Sequence, residues 1–232
     1  MRRRLLRVLF AAAALALLAT AVPIAALRVV PPLTTAFMVQ RWLGGGAGGR
    51  CAGIDYDWVG WDAISTHAKL AVLAAEDQRF AEHGGFDLQE IREAVAERID
   101  GGRARGASTI TQQVAKNLFL WPEPTLVRKA LEAWLTLWIE TLWQKQRILE
   151  VYLNVAQMGP CTFGVEAAAQ RYFGIPAKRL APAQAALLAA VLPDPAGRRV
   201  EAPSAAVRAR ARRIEGQMRQ LGPDAVGRLA GR

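Results

Sequence analysis

The first strongly apolar segment predicts a membrane anchor. It runs from Val8 to Leu27 and is broken only by Thr20 and Pro23. Twenty residues of helix are about enough to cross a ~30 Å hydrocarbon core. Four arginines stand directly in front of the segment, at positions 2, 3, 4 and 7. Because positive residues favour the cytoplasmic side, this pattern predicts a cytoplasmic N-terminus and an exported remainder.

A cleaved signal peptide is the alternative interpretation of the same segment. Ala19-Thr20-Ala21 resembles a small-residue cleavage site. The apolar run continues beyond that site to Leu27, which favours an uncleaved anchor. Both interpretations place the rest of the chain outside the cytoplasm.

The remaining hydrophobic pattern predicts one helix after another. A nearly apolar helix covers His67 to Ala75 and ends at Glu76-Asp77. Asp87 is expected to cap a polar helix that continues to about Ile99, and Ser108 to cap a helix through Asn117. Thr125 begins a long helix, and further helices are predicted over 145–156, 164–173, 182–192 and 204–221.

The long helix is predicted to be the buried centre of the fold. Its large apolar residues follow one another at i, i+3, i+4, i+7 and i+11, and they are Leu131, Trp134, Leu135, Trp138 and Leu142. Apolar side chains therefore occupy most of its circumference, which is typical of a helix surrounded by others.

The C-terminal helix combines an apolar stripe with a basic face. The stripe consists of Val207, Ala211, Ile214, Met218 and Leu221. Most of the neighbouring arginines lie off this stripe. The pattern favours a helix docked on the body, and a helix lying on a membrane surface is the alternative.

Composition limits the class of protein. The chain has 232 residues, and 52% are hydrophobic, which suits one ordinary domain with an appendage and excludes disorder. A single long apolar run excludes a polytopic transporter. The only cysteines, Cys51 and Cys161, exclude a disulfide-stapled miniprotein, and either a disulfide or two free thiols fits them.

The positive charge is concentrated at the two ends of the chain. The formal net charge is +10, of which residues 1–28 contribute +5, residues 29–197 contribute −1 and residues 198–232 contribute +6. A nucleic-acid-binding protein is expected to carry positive charge on its folded body. A neutral body with basic ends suits anionic lipid headgroups better.

Glu76 is the first candidate for acid–base chemistry. Its carboxylate comes directly after an apolar helix, and Asp77 follows it. Partial desolvation and the neighbouring negative charge both raise the pKa of such a group toward neutrality, as a general base requires. A solvated Glu-Asp pair at a helix end is the simpler interpretation of this segment alone.

A second candidate is a polar strip at a loop-to-helix transition. We define it as Ser108, Thr109, Gln112, Gln113 and Lys116, which fall at i, i+1, i+4, i+5 and i+8. Free backbone N–H groups at a helix start, with hydroxyls and a lysine nearby, predict an anion site. The glycine spacing is not that of a P-loop.

The third candidate is a charged cluster on the long helix. Arg128 and Glu132 are an i, i+4 pair, so a structural ion pair is one interpretation. The other is that Arg128 and Lys129 hold pyrophosphate oxygens of a phosphorylated ligand, with Glu132 beside them. His67 and His83 lie far apart, so the sequence shows no metal-ligand cluster.

Taken together, these segments resemble the peptidoglycan glycosyltransferases, family 51 of the glycosyltransferases. The matching segments are Glu76-Asp77-Gln78-Arg79-Phe80 with His83, Gly85 and Asp87; Gly106 to Asn117; Arg128 to Glu132; Lys145 to Asn154; and Gly164 to Gly174. Five motifs in the expected order make the resemblance specific. No transpeptidase segment follows them in the chain, so the resemblance is to monofunctional, membrane-anchored members.

The resemblance implies a mainly α fold, with a lysozyme-like large lobe and a small membrane-proximal jaw lobe after one transmembrane helix. The corresponding division is 1–28 for the arginine cluster and anchor, 29–61 for the juxtamembrane segment, 62–197 for the catalytic domain and 198–232 for the basic C-terminal helix. The expected location is the bacterial inner membrane, with the catalytic domain in the periplasm.

The implied activity is processive, inverting polymerisation of lipid II into β-(1→4)-linked glycan with release of undecaprenyl pyrophosphate. The implied catalytic residues are Glu76, as the base, and Glu132, on the diphosphate side. The implied substrate-binding residues are Asp77, Arg79, Phe80, Ser108, Thr109, Gln112, Gln113, Lys116, Asn117, Arg128 and Lys129.

The implied partners are the lipid II donor, the growing glycan-lipid acceptor, the membrane and other wall-synthesis proteins, with no nucleic acid. The resemblance implies no tightly bound cofactor, a divalent cation (Mg²⁺ or Mn²⁺) that assists the pyrophosphate, and inhibition by moenomycin. One departure stands out, because Trp121-Pro122-Glu123-Pro124-Thr125 lacks the basic residue that family members commonly carry there.

Two rival functions are weighed against this one. A glycan-cleaving enzyme on the same scaffold is disfavoured by the cations of the second and third segments, because cleavage has no diphosphate leaving group. A catalytically dead membrane-tethered scaffold is disfavoured by the presence of both Glu76 and Glu132.

Overall fold

The computed structural model describes residues 2–44, 50–99, 106 and 108–229. Its architecture is mainly helical, as the sequence predicts. The sequence also predicts a loose glycine-rich loop at 44–49 and a basic, glycine-bearing loop at 103–106, and both fall mostly outside the described residues.

The helices are α1 (Arg2–Leu27), α2 (Ala36–Leu43), α3 (Thr66–Glu76), α4 (Leu88–Ile99), α5 (Ile110–Phe119), α6 (Leu126–Leu142), α7 (Lys145–Val155), α8 (Val165–Phe173), α9 (Pro182–Val191), α10 (Ala205–Leu221) and α11 (Asp224–Gly227). Two short strands, β1 (Asp55–Tyr56) and β2 (Thr162–Phe163), pair in parallel, with Asp55 opposite Thr162. Single 3₁₀ turns cover Trp61–Ala63 and Ala177–Arg179.

Most helices begin where the sequence predicts. The Thr125 side chain accepts from the Arg128 N–H and caps α6, and Asp87 accepts from the first backbone N–H groups of α4. The predicted Ser108 cap of α5 is wrong by one residue. Thr109 caps this helix in a capping box with Gln112, because Gln112 stands three positions after Thr109 and reaches back to its N–H.

The prediction that α6 is a buried central helix is wrong. The side chains it buries include the charged residues Arg128 and Glu132, together with Leu135, Thr136 and Ile139. Much of its apolar surface is exposed, notably at Leu126, Val127, Leu131, Trp134 and Leu137. The inward face is the one that carries the i, i+4 ion pair, so the large apolar residues beside it point outward.

The core is built around α3. All seven residues from Ala68 to Ala74 are buried. Helices α9 and α10 pack against α3, and α5, α6 and α7 form the neighbouring group. Helix α10 buries Val207, Ala211, Ile214 and Met218, as the docked interpretation of its apolar stripe predicts.

The C-terminal end of α1 is attached to the body. The buried Ile24 carbonyl accepts from Trp143 Nε1 at 2.7 Å, and the Leu27 carbonyl accepts from Arg147 Nη2 at 2.9 Å. The Leu27 carbonyl lies at the end of the helix, where no intrahelical partner remains. The Ile24 carbonyl also accepts from the Arg28 N–H at 3.2 Å. Within the described part of the chain, no helix meets the length and apolarity needed to cross a membrane.

A disulfide ties the segment after α2 to the loop before β2. It joins Cys51 and Cys161, which resolves the alternative that the sequence leaves open. Arg41 Nη2 donates to the Pro160 carbonyl at 2.7 Å, and the Cys51 N–H donates to the Arg41 carbonyl at 3.1 Å. The covalent bond and these hydrogen bonds together hold α2 against the body.

We expect loss of this disulfide to lower the free energy of unfolding. The bond closes a loop of 110 residues, and removing such a crosslink typically costs about 2 to 5 kcal/mol. The measurement is denaturant unfolding of the full chain in detergent, with and without reductant. The Cys51→Ser/Cys161→Ser double variant serves as control, since reductant should leave its curve unchanged. An unchanged midpoint after verified reduction of the natural chain would contradict the prediction.

Candidate active site

The Glu76 carboxylate lies at the last position of α3, at the edge of a cleft. Its side chain is only 13% exposed. One oxygen, Oε2, accepts from Gln113 Nε2 at 2.9 Å, and the other, Oε1, lies 3.4 Å from Arg210 Nη2. The candidate base is therefore held from two sides, by α5 and by α10.

Burial raises the pKa of Glu76 above its ordinary value. The hydrogen bond from Gln113 and the positive charges of Arg210 and Lys116 oppose this shift, and the negative charge of Asp77 adds to it. The direction agrees with the sequence prediction. A carboxylate whose pKa moves toward neutrality is a better proton acceptor than an ordinary surface glutamate.

Sequence reasoning missed Arg210. Besides Glu76, its Nη2 atom lies 3.4 Å from the Ala75 carbonyl, and its buried Nε atom has no hydrogen-bond partner among the described residues. Arg210 follows Val207 by three positions and precedes Ile214 by four. This spacing places it nearest to the buried stripe among the arginines of α10, which is the signal that could have revealed it.

Asp77, although adjacent to Glu76, faces a different set of partners. Its Oδ1 atom lies 2.9 Å from His83 Nε2, and its Oδ2 atom accepts from the Ile110 N–H at 3.1 Å. Asp77 thereby joins the end of α3 to the start of α5. The Thr109 hydroxyl strengthens the same junction by donating to the Gly85 carbonyl at 2.7 Å.

The third motif forms a compact charged cluster. Arg128 Nη1 donates to Glu132 Oε2 at 2.6 Å, and Lys129 binds the other carboxylate oxygen. Lys129 Nζ also lies 3.4 Å from the Ser108 hydroxyl. Arg128 and Glu132 are buried, whereas the Lys129 side chain is 47% exposed and open to a ligand.

Lys116 lies within electrostatic reach of both glutamates, Glu76 and Glu132. It is half-buried, and it makes no hydrogen bond or ion pair with any residue of the described ranges. The Phe37 ring of α2 lies 5.4 Å from its Nζ atom. Burial lowers the pKa of Lys116, with a smaller contribution in the same direction from the cations of the third motif, while Glu132 and Glu76 oppose the shift.

A cleft of about 710 Å³ opens beside Glu76, between the end of α3, α4 and α10. Ser108, Arg79 and Arg213 also line it. Lys116 and Glu132 are not among its lining residues. The contact of Lys129 with Ser108 connects this cleft to the charged cluster, so the base and the candidate diphosphate side are neighbouring parts of one surface.

The remaining predicted site residues are engaged within the protein. Arg79 pairs with Asp87, and the buried Phe80 ring lies 4.4 Å from Lys145 Nζ. Asn117 is buried.

The prediction of one continuous polar strip is wrong. Ser108 lies outside α5, and the side chains of Thr109 and Gln112 are engaged in the capping-box hydrogen bonds. Gln113 reaches Glu76, and Lys116 is the member of the strip that has no polar partner in the described ranges. The reason is that α5 starts at Ile110, so the first two residues of the strip do not share its helical geometry.

The described residues do not fit a divalent cation at Glu132. Both of its carboxylate oxygens already bind cationic side chains. Asp77, His83 and Asp87 do offer ligand atoms within 4.8 Å of one another. In that cluster Asp87 pairs with Arg79, and Asp77 is bound by the α5 N–H and His83, so these residues do not fit a divalent cation either.

Comparison with known proteins identifies the family. Residues 49–219 match the family model described as Transglycosylase. The chain is 51% identical over 224 residues to the biosynthetic peptidoglycan transglycosylase of Pseudomonas aeruginosa, covering 97% of both proteins. It is 53% identical to the protein of the same name from Klebsiella oxytoca, covering 95% of the chain and 90% of that relative. The chain therefore belongs to the transglycosylase family, as a monofunctional peptidoglycan glycosyltransferase.

Proposed function

We propose that the chain polymerises lipid II into β-(1→4)-linked glycan by an inverting, processive reaction, with Glu76 as the general base. The observation that carries this proposal is the largely buried Glu76 carboxylate at the cleft, with Lys129 in contact with the cleft residue Ser108 and Lys116 within electrostatic reach of both Glu76 and Glu132. Such an arrangement suits a reaction that removes a proton at one end and releases an anion at the other.

In the proposed step the acceptor's 4-hydroxyl approaches Glu76 through the cleft. The carboxylate takes the hydroxyl proton as the hydroxyl oxygen forms a bond to the anomeric carbon of the donor. The bond from that carbon to the diphosphate oxygen breaks, and its electron pair leaves with undecaprenyl pyrophosphate. Attack from the face opposite the leaving group inverts the anomeric centre.

The departing diphosphate needs positive charge directed at it. Lys116 has no anionic partner within the described ranges, and the ammonium of Lys129 is exposed beside the Ser108 hydroxyl. We assign these three groups to the diphosphate. The buried Arg128 and Glu132 orient Lys129, because Glu132 binds both cations at once.

The proposed anchor is α1, which places the site near its lipid substrate. The helix is continuous over 26 residues and exposes large apolar side chains, among them Phe10, Leu15 and Leu18. The exposed apolar residues of α6 and of α4 (Leu88, Val95 and Ile99) support a small jaw lobe that faces the bilayer. The proposed location is the inner membrane, with the body in the periplasm. The proposed division of the chain is 1–28 for the anchor, 29–61 for the juxtamembrane segment, 62–197 for the catalytic domain and 198–232 for the C-terminal helix.

We expect Glu76→Gln to abolish polymerisation while the fold remains intact. The amide has nearly the same shape but cannot accept the hydroxyl proton, and loss of a general base typically lowers rates by about 100-fold to 10,000-fold. The measurement is polymer formation from labelled lipid II, with moenomycin inhibition as a check of specificity and thermal unfolding as a check of folding.

The matched control for this variant is Glu82→Gln, which changes an exposed acid near the same motif. Polymer yield from Glu76→Gln equal to that of the control would reject the base assignment. Cleavage of existing glycan by the natural chain would support the glycan-cleaving rival, and neither activity would support the scaffold rival.

Lys116→Ala should weaken donor use, because it removes the cation that has no anionic partner in the described site. A charged hydrogen bond contributes roughly 1.5 to 3 kcal/mol, so we expect kcat/KM for lipid II to fall by about 10- to 100-fold. Lys178→Ala removes an exposed lysine elsewhere and serves as the control. Unaltered KM and kcat in the Lys116 variant would exclude this role.

Arg210→Ala should move the acidic limb of the pH–rate profile to higher pH. The positive charge of Arg210 lowers the pKa of Glu76, so its removal raises that pKa, and the base is then protonated at a higher pH. For a partly exposed pair the expected shift is about half a pH unit. Arg212→Ala, on the exposed face of the same helix, should leave the limb in place. Coincident profiles for both variants would contradict the assignment.

A further inference from the structure

We infer that Tyr152 is a positioning residue for the proposed base, because its buried hydroxyl fixes the side-chain amide of Gln113 in the orientation that donates to Glu76. The inference rests on the proposed function of Glu76. It adds to the site a residue that lines neither the cleft nor the proposed diphosphate groups.

The geometry is a chain of two hydrogen bonds. Tyr152 Oη donates to Gln113 Oε1 at 3.1 Å, and Gln113 Nε2 donates to Glu76 Oε2 at 2.9 Å. Tyr152 is 1% exposed, and within the described ranges its hydroxyl has no other partner. The phenol therefore acts on one end of the amide while the carboxylate accepts from the other.

The orientation of the Gln113 amide decides whether the ionised form of Glu76 is stabilised or destabilised. A glutamine amide has a donating NH₂ end and an accepting oxygen end. With the NH₂ end on Glu76, the amide stabilises the ionised carboxylate. If the amide turned over, its oxygen would face the carboxylate and destabilise the ionised form that a base requires. Donation from Tyr152 to Oε1 fits the first orientation. In the second, the phenol would have to accept from the NH₂ end while the amide oxygen faced the carboxylate, so the two hydrogen bonds together select the first.

Tyr152 is suited to this role because it remains a donor. Burial raises its pKa well above the ordinary value, and the negative charges of Glu76 and Asp77 act in the same direction against the opposing charge of Arg210. The phenol therefore stays protonated over the range in which Glu76 titrates. Helix α7, which carries Tyr152, is packed against α5, which carries Gln113.

The other charged groups that face Glu76 are separate from this pair. They are Arg210 on α10, Lys116 on α5 and the neighbouring Asp77. None of them depends on the Tyr152 hydroxyl for a hydrogen bond. Removal of that single oxygen atom therefore tests the amide orientation without removing a charge.

The experiment is the pH dependence of kcat/KM for lipid II polymerisation by Tyr152→Phe. The loss of one hydrogen bond is expected to shift the acidic limb upward by about 0.5 to 1 pH unit, while the rate on the plateau above it changes little. Tyr172→Phe is the matched control, since it removes a tyrosine hydroxyl on α8 whose partner is the Met158 carbonyl. The acidic limb of the Tyr172→Phe profile should coincide with that of the natural chain.

A double-variant comparison separates positioning from a merely structural effect. Gln113→Met should itself shift the limb upward, and adding Tyr152→Phe to it should produce no further shift, because the phenol then has no amide to orient. An unshifted limb in Tyr152→Phe, or a second full shift in the double variant, would overturn the inference. If Tyr152→Phe does not fold, an unshifted limb in Gln113→Met overturns it alone.

These outcomes are distinguishable from failure of the proposed function. An active Glu76→Gln variant rejects Glu76 as the base, and with it the reason for positioning Gln113. If Glu76→Gln is inactive and the acidic limb of the Tyr152→Phe profile coincides with that of the natural chain, only the role of Tyr152 is rejected.

Discussion

The candidate site depends on keeping a carboxylate ionisable at the end of a buried helix. Glu76, together with the half-buried Ala75, follows seven consecutive buried residues of α3. Burial disfavours its charged form, and the C-terminal end of a helix adds a negative dipole that acts in the same direction. The compensating groups come from other elements, since Gln113 belongs to α5 and Arg210 to α10. The packing of α5 and α10 near the end of α3 is therefore also the condition under which Glu76 could act as the proposed base.

The second glutamate shows the opposite treatment of a buried charge. Glu132 is 2% exposed, and both of its oxygens bind cations. A carboxylate matched in this way is fully engaged within the protein. Its effect is to hold Lys129 at the edge of the cleft. Lys116 is left without an anionic partner among the described residues. A bound diphosphate would supply that partner.

The sequence predicts local structure well because caps and helical periodicity are local properties. Thr125, Asp87 and the stripe of α10 all act as predicted. The prediction for α6 is wrong because counting apolar residues around a helix does not show which face turns inward. The inward face of α6 is the one that carries the Arg128–Glu132 ion pair, because a buried charge must keep its partner.

Contacts between distant segments are what the sequence could not reveal. Arg210 lies 134 positions after Glu76, and Cys161 lies 110 positions after Cys51. The spacing along α10 indicates that Arg210 is partly buried, but it does not show which other helix Arg210 contacts. The two cysteines likewise fit a disulfide or free thiols until the loop before β2 is seen to lie against α2.

The adjacency of Glu76 and Asp77 has its explanation in the start of α5. Glu76 is the last residue of α3, whereas Asp77 follows the helix with non-helical backbone angles (φ −164°, ψ 81°), so the two carboxylates face different partners. Asp77 accepts the first N–H of α5, and the Thr109–Gln112 box closes the same turn. Together they fix which residue of α5 faces the base. A shift of one residue would present Gln112 or Val114 to Glu76 in place of Gln113. The second carboxylate is therefore a structural tie that places the partner of the first.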